Sequence, residues 1–280
     1  MNINVLTFDT LDSTNTEAMK HARLGDDEGL CVIAYQQTAG RGRHGRTWVS
    51  EKNAGLYFSI VLRPKLETRF LPLITLMTGV AVHDTLQEYG LKPDIKWVND
   101  ILVNEKKIGG ILAEAAETPN GLAVVVGIGI NIRSWNFPDE IDDIATSVEA
   151  ELAVPGVVAT ASLSSPPYEG GVAAFRGRGG SLSSESKSTT TDSLQETLTK
   201  YLSYFYNILN SENGPKQILT EWRRRSTYFS GKNVRVVLGN ETVTGTTDGL
   251  EENGALRVRT MDGDIKIIQA GDVENLRQTS

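Results

Sequence analysis

The sequence predicts an α+β fold, in which helices flank a mixed, largely antiparallel sheet and a small C-terminal β-barrel follows. Three observations support this prediction. Helix-like and strand-like segments alternate over most of the chain, and short turns join consecutive strand-like runs, as is typical of antiparallel pairing. From Gly231 onwards, short strands are separated by Asn- and Gly-containing turns, which is typical of a small barrel. A length of 280 residues allows two domains, and we expect them at 1–230 and 231–280.

The N-terminal part of the chain predicts one helix, a loop and two strands. Thr14 and Glu17 fit a capping box, so a short helix is expected to begin there and to run to Arg23. The apolar run 31–35 predicts a buried strand, and 56–62 predicts a second one that ends before Arg63-Pro64. The segment 38–47 between them is too rich in Gly and Arg for either element and is predicted to be a loop.

The middle of the chain predicts one long helix and three strands. Apolar residues recur at helical spacing from Phe70 to Tyr89, and Gly90 is a suitable residue to end this helix. Three strand-like runs follow, over 95–103, 108–116 and 122–132.

The last part of the chain begins with a change in composition. Ser, Thr, Gly, Ala and Pro dominate residues 152–192, which we interpret as a flexible, peripheral insertion. Ser193 is then predicted to cap a helix over 194–209, and a second helix is expected over 215–225, with a proline in its first turn. The strands of the C-terminal barrel are expected at 234–238, 242–248, 255–260 and 265–269.

Charge and composition exclude several classes of protein. The chain has 28 Lys and Arg against 35 Asp and Glu, a net charge of −7, which argues against a non-specific nucleic-acid binder. The single cysteine, Cys31, rules out an internal disulfide, and the scattered histidines predict no zinc site. We find no signal peptide at the start, and the longest apolar stretch is too short to span a bilayer. A cytoplasmic protein is therefore expected.

The segment GRGRHGR, at 40–46, is the most unusual of the chain. Its glycines allow the backbone to approach a ligand and expose amide donors, and its arginines offer forked donors to carboxylate or phosphate. The alternative is a solvated basic loop or a nucleic-acid-binding patch. The acidic net charge favours a focused anion site over a broad nucleic-acid surface.

Two further segments, KWVND at 96–100 and KKIGGIL at 106–112, depart from ordinary strands. Asn99-Asp100 interrupts an apolar run, and Gly109-Gly110 suggests the close approach of a ligand or another backbone. The alternative is two strands joined by a charged hairpin. Lys106 and Lys107 should point to opposite faces of the sheet, so only one of them can enter a site.

In this order, these segments resemble the biotin protein ligases, of the type without an N-terminal DNA-binding domain. GRGRHGRTW is similar to the biotin-binding loop of that family, and KWVND, KKIGGIL and GIGIN (127–131) follow at the family's spacing. Ser13-Thr14-Asn15 matches an early S-T-N signature, and Asn275-Leu276-Arg277 matches the end of the family's small SH3-like domain. The resemblance covers the chain outside 152–192 and implies a catalytic domain of the class II synthetase-like, biotin–lipoate ligase type.

The resemblance also implies a role for each matched residue. Lys107, Arg43 and Arg41 would be catalytic, and Thr14 has helix capping as an alternative role. The residues expected to bind biotin are Ser13, Thr14, Asn15, Gln37, Gly40, Arg41, Gly42, Arg43, Lys107 and Gly110. The residues expected to bind ATP or the adenylate are Arg43, Arg46, Trp48, Asn99, Lys107, Asn131 and Arg277. Asn99 and Asp100 are expected to hold Mg²⁺ through the phosphates.

The implied activity is the ATP- and Mg²⁺-dependent attachment of biotin to a lysine of a biotin carboxyl carrier domain, through biotinyl-5′-AMP. The alternatives are a lipoate–protein ligase-like acyl-adenylate transferase and a non-catalytic biotin or adenylate sensor. The arginine-rich loop and the C-terminal barrel favour biotin over lipoate, and the presence of Lys107 favours an active enzyme over a sensor.

The resemblance leads to three further expectations. Because Ser13-Thr14 come so early, we expect no helix-turn-helix and no binding to DNA. Exposed strand edges would permit a homodimer. Val98 replaces the family's usual proline, which removes a fixed φ angle but no functional group.

Overall fold

The computed structural model describes residues 1–135, 137–154, 191–239 and 241–275. Most of the predicted insertion 152–192 lies outside the described residues, and so does Arg277. In the described part of the chain, no helix combines the length and the apolar character that a membrane span requires.

The larger sheet has seven strands and is mixed, as predicted. The strands are β1 (Asn4–Phe8), β2 (Leu30–Ala34), β3 (Gly55–Leu62), β4 (Asp94–Lys96), β5 (Asp100–Val103), β6 (Lys106–Thr118) and β7 (Gly121–Asn131). Their order across the sheet is β1-β2-β3-β7-β6-β5-β4. The pair β1–β2 is parallel and every other neighbouring pair is antiparallel. The long, largely apolar strands β3 and β7 lie at the centre, because their side chains can be buried on both faces.

In the described part of the chain, five α-helices accompany this sheet. They are α1 (Thr14–Leu24), α2 (Leu73–Glu88), α3 (Val148–Leu152), α4 (Thr191–Leu209) and α5 (Gly214–Arg225). Helix α2 packs with α4 and α5 over one face of the sheet and forms the main hydrophobic core. Helix α1 covers the other face through a second cluster, which includes Ala18, Ala22, Val32 and Val125.

A largely buried ion pair joins α2 to α5. Arg225 donates two hydrogen bonds to the Asp84 carboxylate, of 2.6 and 2.8 Å, and His83 Nδ1 lies 2.9 Å from the same carboxylate. Burial alone would raise the pKa of Asp84, but the hydrogen bonds and charges of His83 and Arg225 outweigh it and hold that pKa below its usual value.

The C-terminal unit is a five-stranded antiparallel sheet. Its strands are β8 (Ser230–Leu238), β9 (Glu241–Leu250), β10 (Leu256–Thr260), β11 (Ile265–Ile268) and β12 (Asp272–Asn275), in the order β11-β10-β9-β8-β12. Among the described residues no pairing joins β11 to β12, so the closure expected of an SH3-like barrel stays a prediction.

Contacts at Trp97 and Gly254 help to dock this second sheet on the first unit. The Trp97 indole donates a 3.0 Å hydrogen bond to the Gly254 carbonyl. Gly254 has φ +86°, and a Cβ there would lie 2.8 Å from Leu76 and 2.9 Å from Leu73 of α2. The close approach of the turn at Gly254 to α2 therefore requires glycine.

The structure corrects three predicted boundaries. The cap of α1 is Ser13, not Thr14, and no side chain caps it, so the capping box is wrong. The single strand expected over 95–103 is two strands, β4 and β5, separated at 97–99, where the Trp97–Val98 peptide bond is cis. Ser193 lies inside α4, which begins at Thr191, rather than capping it.

Among the strands and α-helices of the described residues, three were not predicted at all: β1, α3 and β12. The first of these has the burial pattern of a partly exposed edge strand and lacks a continuous apolar run. Hydrophobic patterning therefore gave no signal for it.

Candidate active site

An open cavity of about 750 Å³, including space open to solvent, lies beside β6 and β7, the start of α1 and the arginine-rich loop. Four cationic side chains line it, Arg41, Arg43, Arg46 and Lys107, against a single carboxylate, Asp100. In a chain of net charge −7 this is a local concentration of positive charge. Such an arrangement attracts anionic ligands to one place.

Glycines form the floor of the cavity, and the indole of Trp48 lies on them. A Cβ at Gly129 would lie 2.4 Å from Trp48 Cε2, and a Cβ at Gly110 would lie 3.1 Å from Trp48 Cζ3. Trp48 Nε1 is buried and has no hydrogen-bond partner among the described residues. Lys107 Nζ lies 5.6 Å from the centre of the indole ring, within the range of a cation–π contact.

A polar network forms the end of the cavity at the start of α1. Gln37 Oε1 accepts hydrogen bonds from the Thr14 amide, at 2.9 Å, and from the Thr14 hydroxyl, at 3.2 Å. Ser59 Oγ, fully buried on β3, lies 2.7 Å from both Thr14 Oγ1 and Asn15 Oδ1. Ser13 is also buried and lines the cavity. The residues expected to hold the ring of biotin are thus brought together, and they form hydrogen bonds to one another or to nearby polar groups.

Lys107 and Lys106 have different surroundings. Lys107 Nζ lies 2.6 Å from Asp100 Oδ1 and lines the cavity, whereas Lys106 is exposed and does not. A second lysine, Lys96, lies 3.8 Å from the other oxygen of Asp100. The Lys107 backbone amide donates to the Ile144 carbonyl, which holds this end of β6 in place.

The arginine-rich loop folds as a tight hairpin. The Trp48 amide donates to the Gly40 carbonyl at 2.9 Å, and the Gly42 amide donates to the Arg46 carbonyl at 2.7 Å. At the tip, Arg43 donates to Asn99 Oδ1, at 3.1 Å, and to the Gly271 carbonyl of the C-terminal unit, at 3.3 Å. The loop therefore contacts both units of the chain.

Two residues expected at the site, Asn131 and Gly40, do not line the cavity. Asn131 is buried, does not line the cavity, and donates to the Thr146 carbonyl at 3.0 Å. Gly40 is absent from the cavity lining, and a Cβ there would be 2.3 Å from the Trp48 carbonyl oxygen, so glycine is needed for packing. Arg277 lies outside the described residues. The remaining expected residues, including Gly42, line the cavity.

A resident metal ion does not fit this cavity. Both oxygens of Asp100 face lysines, and the Asn99 side chain accepts from Arg43 and donates to the Ile111 carbonyl. Within the described ranges, no group of three or more His, Cys, Asp or Glu side chains could hold an ion. A divalent cation would need most of its ligands from a substrate.

A second cavity of about 380 Å³ shares Arg46, Asn99 and Asp100 with the first. Its other lining residues are Lys96, Trp97, Gly271 and Val273. It lies between the two sheets, so residues of both units approach the cationic end of the site.

Sequence comparison identifies two domain families in the chain. Residues 7–131 match the model described as the biotin/lipoate A/B protein ligase family, and residues 229–274 match the biotin protein ligase C terminal domain.

The chain is similar to characterised proteins over most of its length. It is 30% identical over 272 residues to the biotin--[acetyl-CoA-carboxylase] ligase of Mycobacterium tuberculosis, covering 95% of this chain and 86% of that protein. It is 43% identical over 152 residues to the bifunctional ligase/repressor BirA of Bacillus subtilis, a match that spans 53% of this chain and 47% of that protein. Among solved structures it is similar to a biotin protein ligase from Aquifex aeolicus in complex with biotin and ATP, with a TM-score of 0.73, 27% identity, and coverage of 98% of this chain and 99% of that chain.

Proposed function

Since the chain belongs to the biotin/lipoate A/B protein ligase family, we propose that it is a biotin protein ligase, which uses ATP to attach biotin to a lysine of a biotin carboxyl carrier domain. Biotinyl-5′-AMP is the intermediate. The observation that carries this proposal is the convergence of Arg43, Arg46 and Lys107 on one glycine-floored cavity that ends in the polar groups of Ser13 and Thr14.

The first half-reaction joins two anions. A carboxylate oxygen of biotin attacks the α-phosphorus of ATP, the bond to the β,γ-diphosphate breaks, and pyrophosphate leaves. Mutual repulsion between carboxylate and triphosphate opposes this step. The cationic side chains of the cavity offset the repulsion and stabilise the charge that develops on the transferred phosphoryl group.

The floor and the polar network orient biotin for this attack. The glycines at 110 and 129 let the Trp48 indole lie close to the backbone as one wall of the cavity, and Ser13 and Thr14 supply hydroxyl groups at one end. We assign the ring of biotin to that end and the phosphates to the end with Arg43 and Lys107. Fixing the two reactants in this order accounts for a large part of the catalysis.

In the second half-reaction, the amine of a carrier lysine attacks the mixed anhydride. An amide bond forms, AMP leaves, and the amine nitrogen loses a proton. Because the anhydride also reacts with water, the loop over the cavity must exclude solvent between the two steps. We assign this covering role to residues 38–47, which directly precede Trp48.

Mg²⁺ is proposed only as a companion of ATP. Because both oxygens of Asp100 are paired with lysines, the ion would take phosphate oxygens as its main ligands. Asn99 and Asp100 would then contact it only peripherally.

We propose a catalytic unit at 1–230 and a C-terminal unit at 231–280, a cytoplasmic location, no binding to DNA or membranes, and a biotin-dependent carboxylase as the source of the acceptor domain. A homodimer through an exposed strand edge is a further proposal.

Transfer of labelled biotin to a purified biotin carboxyl carrier domain tests the function. With MgATP, the intact carrier should become labelled, and a carrier whose acceptor lysine is replaced should not. Tight binding of biotin without transfer would indicate a sensor. Neither binding nor transfer would favour lipoate or another carboxylic acid as the substrate.

A further inference from the structure

Glu114 lies at the edge of the cavity, where a carboxylate would ordinarily be unfavourable for an anionic ligand. On β6, Gly110, Leu112 and Glu114 point to the same face of the sheet, and the first two line the cavity. The carboxylate is therefore adjacent to the site without being one of its lining groups.

Both oxygens of this carboxylate have partners. Arg41 binds it in a bidentate manner, with distances of 2.8 Å from Nη1 to Oε1 and 2.7 Å from Nη2 to Oε2. Asn15 Nδ2 donates to Oε2 at 2.8 Å. One side chain thus connects the first arginine of the loop to the start of α1.

The partners of Glu114 are held in single orientations. Asn15 also donates to the Leu112 carbonyl at 3.2 Å and lies 2.7 Å from Ser59 Oγ, and a Cβ at Gly127 would come within 2.2 Å of its Oδ1. The bidentate pairing likewise fixes the plane of the Arg41 guanidinium. The three groups form a small rigid unit beside the cavity.

This pair is too exposed to serve mainly global stability. The side chains of Arg41 and Glu114 are 42% and 30% exposed, so solvent screening reduces the contribution of this pair to the free energy of unfolding. Its effect is instead on geometry and charge, because the carboxylate neutralises Arg41 and leaves the other cationic side chains to dominate the field in the cavity.

We propose that Glu114 is a positioning residue of this site, which fixes Arg41 and Asn15 and so anchors the start of the arginine-rich loop to the start of α1. Arg41 is then an anchor of the loop rather than a catalytic cation, which differs from its expected role. This proposal rests on the proposed function for its kinetic consequences, but its structural consequence does not depend on activity.

Glu114→Gln tests the proposal, with Glu117→Gln as the matched control, because Glu117 is exposed on the same strand. In biotin-dependent ATP–pyrophosphate exchange, Glu114→Gln should raise the KM for biotin about tenfold and change kcat by less than about threefold, since it disturbs ground-state positioning. Glu117→Gln should leave both unchanged.

Hydrogen exchange in the free protein gives a readout without activity. Amides of residues 38–47 should exchange at least about fivefold faster in Glu114→Gln than in the wild type or in Glu117→Gln. Arg41→Gln removes the same contact from the loop side and should accelerate the same amides. In the double variant, the effects should not add, because the two residues act as a pair.

The outcomes separate the two proposals. Faster hydrogen exchange of the loop amides in Glu114→Gln and Arg41→Gln supports the positioning role, whether or not the wild-type protein is active. The absence of biotin-dependent ATP–pyrophosphate exchange in the wild type would overturn the proposed function instead. Unchanged amide protection in both variants overturns the positioning role, and so does a loss in kcat with unchanged KM in an active enzyme.

Discussion

Replacing Lys107 by alanine should lower the rate of adenylate formation about a hundredfold, whereas replacing Lys106 should change it by less than about twofold. The two lysines are neighbours in the sequence, so the chain supplies its own control. Lys107 lines the cavity beside Asp100, and Lys106 is exposed outside it.

The magnitude follows from the position of Lys107. A unit charge about 4 Å from a phosphoryl oxygen contributes about 4 kcal/mol at an effective dielectric constant of about 20. The Lys107 side chain is 35% exposed, and solvent screening reduces the contribution. If about two-thirds remains, the loss is about 2.7 kcal/mol, which corresponds to about a hundredfold in rate.

The assay is biotin-dependent ATP–pyrophosphate exchange, with thermal unfolding of each variant as a control. Lys107→Ala should remain folded, because Lys96 still lies 3.8 Å from Asp100 and leaves that carboxylate a cationic neighbour. Equal losses in the two variants, or full activity of Lys107→Ala, would refute the assignment of the cavity as the site of phosphoryl chemistry.

Three other variants test separate parts of the structure. Arg43→Ala should reduce ATP–pyrophosphate exchange far more than Arg224→Ala, which removes a side chain that is 66% exposed on α5; similar losses would contradict the site assignment. Gly129→Ala should reduce kcat/KM at least about tenfold with little change in the thermal midpoint, because its Cβ would displace the Trp48 ring. Unchanged kinetics would show that the position of the ring is unimportant. Asp84→Asn should cost about 3 kcal/mol in urea unfolding at pH 7, because it breaks a largely buried ion pair. Since the pKa of Asp84 is lowered by folding, the difference in the free energy of unfolding between wild type and variant should shrink as the pH falls below about 4. A difference that does not change with pH would argue against the pairing.

The sequence predicted best those parts of the molecule that depend on long apolar patterns. Helix α2 was predicted from its apolar pattern alone, and the structure shows that most of its residues are buried. The separation of β4 from β5 was not predicted, because the apolar residues on both sides of 97–99 read as one continuous run. Within this break, Trp97 donates to the Gly254 carbonyl of the C-terminal unit, a contact between residues too far apart for any window of sequence to contain.

The candidate site was predicted mainly through its resemblance to a family, and the resemblance did not extend to supporting residues. Glu114 and Ser59 carry no motif, and an acidic residue in a strand usually marks a solvated face. One signal was available for Glu114, since the alternation of β6 places it on the same face as Gly110. Its pairing with Arg41 joins residues 73 positions apart and could come only from the fold.

The hydrogen bond from Arg43 to the Gly271 carbonyl couples ligand binding in the cavity to the docking of the C-terminal sheet. A ligand whose phosphate draws the Arg43 guanidinium away competes with that carbonyl. The two equilibria are then linked: the factor by which the ligand weakens docking of the sheet equals the factor by which docking of the sheet weakens ligand binding. A reporter protein fused to the C-terminal sheet is therefore not a neutral label, and ligand titrations of such a fusion would measure both equilibria together.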